Sequence, residues 1–151
     1  MTSETNDPNS QEDELIMKYY MAATIQTSFD EAIERTEAAL KTEGFGVLTR
    51  VDIQKTLKSK IGADFRPYII LGACNPTLAH HALQLEDKVG TMLPCNIIVQ
   101  QKAEGEIEVA AIDPVASMQA INNADLTKAA HAVRDKLSQV IDSLSESDDH
   151  V

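Results

Sequence analysis

Residues 95–113 limit the fold of this chain more than any other segment. They read CNIIVQQKAEGEIEVAAID, two runs that alternate apolar and polar residues on either side of a short loop containing Gly105. This pattern predicts two strands, 95–101 and 106–113, joined as a β-hairpin. Because a hairpin pairs its strands antiparallel, it favours an α+β fold over a doubly wound parallel sheet.

Local patterns predict three further strands and four helices around the hairpin. Ser28 with Glu31 forms a capping box, and Asn75 with Pro76 supplies an N-cap followed by an N1 proline. The resulting order is β-α-β-α-β-α-β-β-α, with a short second helix. The predicted strands before the hairpin are 19–26, 46–52 and 67–73, and the predicted helices are 28–44, 52–62, 77–87 and one of about 20 residues from Asp125.

Acidic residues are concentrated at the two ends of the sequence. The net charge is -11, yet residues 15–141 carry 15 acids and 13 bases. We expect a disordered acidic tail over 1–14, a single α+β domain over 15–144 and an acidic tail over 145–151. No basic patch is dense enough to neutralise phosphates, so no nucleic-acid partner is expected.

The sequence also indicates where in the cell the protein is expected. No run of about 18 apolar residues occurs, so we expect no membrane span and no membrane partner. The first 15 residues, MTSETNDPNSQEDEL, lack the basic and apolar regions of a signal peptide. A cytoplasmic protein with two reduced cysteines is therefore predicted.

Several separated motifs occur in the order found in a known family. They are ILGACNP (70–76) with the apolar helix after it, LPCNIIV (93–99) and DP at 113–114. Over roughly residues 18–142 the chain resembles the prokaryotic family called domain of unknown function 302. The resemblance implies a curved, largely antiparallel sheet with helices packed mainly on one face, often in a homodimer or higher homo-oligomer. It implies no activity, leaves any cofactor unknown and supplies no catalytic residue.

The two cysteines are the candidates for thiol chemistry. Cys74 precedes a predicted helix N-terminus, which can lower the pKa of a thiol and makes it the candidate nucleophile. A buried structural cysteine is the competing interpretation. Cys95 can approach Cys74 only if the strands that carry them are antiparallel neighbours, which the sequence leaves open.

The same region offers a weak metal site and a possible anion site. His80 and His81 are adjacent on a predicted helix and point about 100° apart, so they do not chelate one ion. We therefore assign no metal ligand and expect His81 to pack half-buried. Asn75 and Thr77 lie at the helix mouth, where backbone N–H groups can bind an anion or serve only as a cap.

Strand alternation divides the sheet into two faces. The face expected to meet the helices holds Val47, Thr49, Val51, Ile69, Leu71, Cys95, Ile97, Val99, Ile107, Val109 and Ala111. The opposite face mixes apolar and polar residues, which is typical of a surface that meets a partner. Its members are Leu48, Arg50, Tyr68, Ile70, Asn96, Ile98, Gln100, Glu108, Ala110 and Ile112.

Three functions are compatible with these residues. The leading hypothesis is a domain that self-associates and binds a small molecule or a protein on the second face, with Arg50 and Tyr68 as polar anchors. The first alternative is a thiol-dependent enzyme or redox protein using Cys74 with or without Cys95. The second is a metal-binding sensor. The candidate ligand-binding residues are Arg50, Tyr68, Cys74, Asn75, Thr77, His81 and Cys95.

Overall fold

A computed structural model describes residues 18–149 of the chain. Five strands form one antiparallel sheet in the order β1-β5-β4-β3-β2. The strands are β1 (Tyr20–Gln26), β2 (Gly46–Asp52), β3 (Tyr68–Cys74), β4 (Cys95–Ala103) and β5 (Glu106–Ile112). The helices are α1 (Phe29–Thr42), α2 (Ile53–Ile61), α3 (Pro76–Leu85), α4 (Pro114–Ser117) and α5 (Ala124–Asp149), with a 3₁₀ helix at Asp87–Met92.

The predicted α+β fold and the antiparallel sheet are confirmed. The hairpin joins β4 to β5 through a turn at Glu104 and Gly105, where the glycine adopts the left-handed φ of +77° that such turns require. The predicted caps at Ser28 and Asn75 form as well, since each accepts the backbone N–H three residues on. Asp52 caps α2 in the same way.

Two short helices were not predicted. The 3₁₀ helix and α4 occupy segments that sequence patterns leave as a connection and a loose loop. Each begins at an acidic side chain, because Glu86 accepts the N–H of Lys88 and Asp113 accepts the N–H of Val115. At the ends of the chain, the predicted tail over 1–14 lies outside the described residues, and α5 continues into the predicted tail over 145–151 as far as Asp149.

The main core lies between the sheet and two helices, α1 and α5. Leu71, Ile97 and Val109 from the sheet are fully buried against Leu40 of α1 and Leu137 of α5. The exposed sides of both helices carry the charged residues, as expected of amphipathic helices packed on one sheet face. Because α1 and α5 both pack on this face, the opposite face of the sheet points away from the main core.

A second apolar cluster lies beyond the ends of β3 and β4. It joins α3, the 3₁₀ helix, α4 and the first turns of α5, and its most buried members are Val89 and Leu126. Helix α5 is long enough to contribute to both clusters, because 26 residues span about 39 Å at 1.5 Å per residue.

A β-bulge at Leu48 reverses the predicted facing of half of β2. Val47 pairs with Ala73, but the next pair joins Thr49 to Gly72, so one extra residue lies on β2. From this point Arg50 lies opposite Leu71, on the helix-covered face. The prediction that put Arg50 on the second face, and Thr49 and Val51 on the helix face, is wrong for this physical reason.

Candidate functional site

The seven candidate ligand-binding residues do not form one site. Cys74, Asn75 and Cys95 line a cavity at the ends of β3 and β4. Tyr68 lines a groove on the second face of the sheet. The others, Arg50, Thr77 and His81, line neither the cavity nor the groove.

Arg50 instead serves the contact between β2 and α1. Its Nη2 atom lies 2.7 Å from Oε2 of Glu37 in a partly exposed ion pair. A pair of this kind contributes up to about 1 kcal/mol to stability. The guanidinium is committed to Glu37 and cannot act with Tyr68, which is on the opposite side of the sheet.

The histidine prediction also requires correction. His81 is exposed on α3, as is His80, whereas a half-buried packing role was expected of His81. The side of α3 that faces the fold carries Ala82 and Leu85, which belong to the second cluster, and Leu78, which lines the cavity. His81 lies outside this stripe. Among residues 18–149, no group of three His, Cys, Asp or Glu side chains is arranged to hold a metal ion.

The cysteine cavity is small and almost entirely apolar. Its volume is about 30 Å³, and one water needs roughly 10–15 Å³. Strands β3 and β4 are antiparallel neighbours with Cys95 opposite Ala73, so the topology that the sequence left open brings both cysteines to one cavity. Both are free thiols. The cavity can admit one or two waters or a group of similar size, but not a metabolite.

The two thiols have different surroundings. Cys74 is half-buried, whereas Cys95 is buried. Burial, and then the charge of neighbouring Cys74, raises the pKa of the Cys95 thiol from 9.0 to about 11. At neutral pH Cys95 is therefore a protonated core residue and a poor nucleophile.

The N-terminus of α3, beside Cys74, is capped by the side chain of Asn75. The Asn75 side chain accepts the N–H of Leu78 at 3.2 Å, and Pro76 at the first helical position has no N–H to offer. Thr77 is exposed on the first turn. The arrangement is that of an ordinary Asn-Pro helix start, and an anion would compete with Asn75 for the same donor.

The second face of the sheet carries an open groove that combines an apolar floor with polar side chains. We call it the second-face groove: about 440 Å³, lined by Tyr19, Tyr20, Tyr68, Asn96, Ile98, Gln100, Lys102, Glu108, Ala110, Ala111 and Ile112. Its floor comes from adjacent strands, with Ile98 paired to Ala110. Helix α2, which precedes β3, has no buried residue and does not close the groove.

A hydrogen-bonded chain of three side chains runs from Arg66, beside the groove, to Gln100 and Glu108, which line it. Nε of Arg66 donates to Oε1 of Gln100 at 2.7 Å, and Nε2 of Gln100 donates to Oε1 of Glu108 at 2.8 Å. Gln100 is buried even though it lies on the open face. Buried polar groups are stable only when they are bonded, and both functional groups of Gln100 have partners here.

Arg66 is the main residue that sequence analysis missed. It lies two positions before β3, so the alternation within that strand does not predict on which face of the sheet its side chain lies. Its guanidinium lies 4.4 Å from the centroid of Phe65 and 5.8 Å from that of Tyr68. The spacing Phe-Arg-Pro-Tyr at 65–68, with an arginine between two aromatics, is the only local signal that could have suggested this cation–π cluster.

Comparison with known proteins places the chain in a family. The sequence profile described as Domain of unknown function DUF302 matches residues 21–144. The chain belongs to the DUF302 family. The crystal structure of an uncharacterized conserved DUF302 protein from Bacillus stearothermophilus is similar to this DUF302 chain, with 33% identity and a TM-score of 0.78. The similarity covers 84% of this chain and 98% of the other.

The family resemblance inferred from the motifs is thus confirmed, and the family supplies no activity. No curated protein matches the chain. Among residues 18–149 of this DUF302 chain, no helix has the length and apolar character needed to span a membrane.

Proposed function

We propose that this domain binds a small molecule in the second-face groove. The observation that carries the proposal is an uncovered sheet face whose groove of about 440 Å³ has the size of a ligand site, whereas the cysteine cavity does not. Tyrosines stand at its rim and aliphatic residues form its floor, which is the lining typical of such sites.

The polar side chains of the groove support the same proposal. Small-molecule sites generally combine an apolar lining with a few fixed polar groups that orient the ligand. Here Gln100 and Glu108 are joined by one hydrogen bond, and Asn96 is exposed at the other end of the groove. Gln100 and Glu108 are therefore oriented before a ligand arrives.

The experiment is to identify what the purified protein carries and where it sits. Native mass spectrometry detects a co-purified ligand, and ¹H–¹⁵N spectra with and without it locate the site. We expect resonances of Ile98, Gln100 and Glu108 to move. We also expect Ile98→Lys to abolish binding, while Leu83→Lys, a matched change on exposed α3, leaves binding intact. Shifts centred on Cys74 and Cys95 would contradict the proposal.

We further propose that two copies of the chain associate along β2. Strand β2 is a free edge of the sheet, and its apolar side chains Leu48 and Val51 are 66% and 42% exposed. An exposed apolar edge strand readily pairs with another strand. We also take the protein to work in the cytoplasm, where its two free thiols would stay reduced.

Sedimentation velocity tests the association. We expect a dimer that Leu48→Lys converts to monomer, because a charge on the edge opposes strand pairing. Leu83→Lys, which adds the same charge on α3, should leave the dimer intact. A wild-type chain that remains monomeric, or a dimer indifferent to Leu48→Lys, would exclude the β2 edge as the interface.

A further inference from the structure

The Arg66 side chain is bonded at one end only. Its Nε donates to Gln100, but its two terminal nitrogens donate to no atom of residues 18–149. The aromatic rings of Phe65 and Tyr68 lie next to the guanidinium. A guanidinium held this way presents two parallel N–H donors, the arrangement that binds a carboxylate through two hydrogen bonds.

The charges around Arg66 favour a single anionic group. Lys102 lines the same end of the groove and forms no ion pair within the described part of the chain. The nearby Glu108 accepts its hydrogen bond from Gln100, so the terminal nitrogens of Arg66 have no carboxylate partner among the described side chains. One guanidinium suits a single carboxylate, whereas a di- or triphosphate would carry more negative charge than it offsets.

The rest of the groove determines what the anion is attached to. From the Tyr68 end, the floor continues over Ile98 and Ala110 towards Tyr20 on β1. Aliphatic and aromatic groups line this path, so an apolar body can lie along it while its charged head remains at the rim. The exposed tyrosines Tyr19 and Tyr20 contact each other edge to face at the far end.

We infer that the second-face groove binds an amphipathic monocarboxylate, with its carboxylate on the terminal nitrogens of Arg66 and its apolar body over Ile98 and Ala110. This inference rests on the proposed function and adds the chemical class of the ligand. Lys102 contributes charge rather than a defined hydrogen-bond geometry, because its ammonium group is a flexible point charge.

Octanoate and 1-octanol, which share an alkyl chain and differ in the head group, test the inference. We expect the protein to bind octanoate more tightly than octanol, as followed by ¹H–¹⁵N shifts of second-face residues. Added NaCl should weaken octanoate binding and leave octanol binding unchanged. Equal affinities for the two probes would overturn the inference while leaving the groove as a binding site.

Variants assign the effect to Arg66. Arg66→Gln should weaken octanoate binding about three- to tenfold, since Arg66 is partly exposed and its hydrogen bonds are screened. Arg66→Lys should restore only part of the loss, and Lys102→Gln should cause a smaller one. Lys60→Gln removes an equal charge from α2 outside the groove and should change nothing.

Two further outcomes are decisive. If Arg66→Gln and Lys60→Gln behave alike, the carboxylate does not bind at Arg66 and the inference fails. If neither probe moves any second-face resonance and the co-purified ligand maps elsewhere, the proposed function fails together with it. Unchanged resonances in the main core show that Arg66→Gln is folded.

Discussion

At the scale of single residues, burial separates the two thiols. Cys95 lies at the start of β4, where its side chain is packed among Ala73 and Phe45. A buried thiol resists ionisation because the thiolate loses its hydration. Any thiol chemistry in this protein must therefore begin at Cys74, which is only half-buried.

The raised pKa of Cys95 makes stability depend on alkaline pH. The thiol ionises near 9.0 in the unfolded chain and at about 11 in the folded one, so the unfolded state binds fewer protons between these values. The stabilising contribution of the protonated Cys95 thiol to the free energy of unfolding is fully present below pH 9. It falls by about 1.4 kcal/mol per pH unit up to pH 11, which is a total loss of about 2–3 kcal/mol.

Urea unfolding under reducing conditions at pH 8 to 11 measures this effect. Lysines and tyrosines also titrate in this range, so the relevant quantity is the wild-type stability minus that of Cys95→Ala at each pH. We expect this difference to shrink as pH rises. A difference that stays constant from pH 8 to 11 would rule out the raised pKa.

At the scale of elements, Gly72 shows how closely β3 approaches its neighbours on the second face. A Cβ at this position would overlap Oγ1 of Thr49 and lie 2.7 Å from Cγ of Pro94. The bulge at Leu48 is what turns Thr49 towards Gly72. The glycine is therefore required for space, not for an unusual backbone angle.

We predict that Gly72→Ala destabilises the fold by about 1–3 kcal/mol through overpacking. Thr49→Ala combined with Gly72→Ala should recover part of the loss, because it removes the nearest atom, while the contact with Pro94 persists. Gly46→Ala is the matched control, since a Cβ there meets nothing within 4 Å. Chemical denaturation of the four proteins gives the coupling, and a fully additive double mutant would contradict the proposed contact.

The start of α3 gives a second prediction at this scale. Asn75 caps the helix through the N–H of Leu78, so Asn75→Ala should cost about 1 kcal/mol, within the 0.5–2 kcal/mol range of such caps. Asn75→Asp keeps an acceptor and should cost much less. If Asn75→Ala leaves the unfolding midpoint unchanged, the side chain is not acting as a cap and a role in the adjacent cavity becomes its explanation.

The elements also show where sequence patterns succeed and where they fail. Alternation assigns β3, β4 and β5 correctly, because Leu71, Ile97 and Val109 are buried between regular partners. It fails on β2, since an edge strand with few buried residues gives no pattern that reveals the extra residue at Leu48. Arg66 was missed because its hydrogen-bond partner, Gln100, is distant in sequence and meets it only through the pairing of β3 with β4.

At the scale of the whole molecule, α5 unites the two apolar clusters. Leu126 is buried in the second cluster and Leu137 in the main core, and both belong to one continuous helix. The second cluster has far fewer buried side chains and would be a weak unit alone. The helix is therefore expected to make the two clusters unfold together.

We predict that Leu126→Ala and Leu137→Ala each lower stability by about 2–5 kcal/mol within a single transition. Circular dichroism and tyrosine fluorescence should report the same midpoint for each variant. The double variant should lose the sum of the two effects, because the sites are about 16 Å apart along the helix at 1.5 Å per residue. An early transition in Leu126→Ala alone would show that the clusters unfold separately.

The strand order has a consequence for how the chain is made. Strand β1 is synthesised first but pairs only with β5, and Gln26 must wait for Glu106 to appear before the two can bond. At ribosomal rates of roughly 5–20 residues per second, that delay is on the order of ten seconds. By contrast, β2, β3 and β4 each find a partner in the next strand to be made. During translation the nascent chain therefore exposes its first strand longest, and β1 is the segment that a chaperone would most usefully shield.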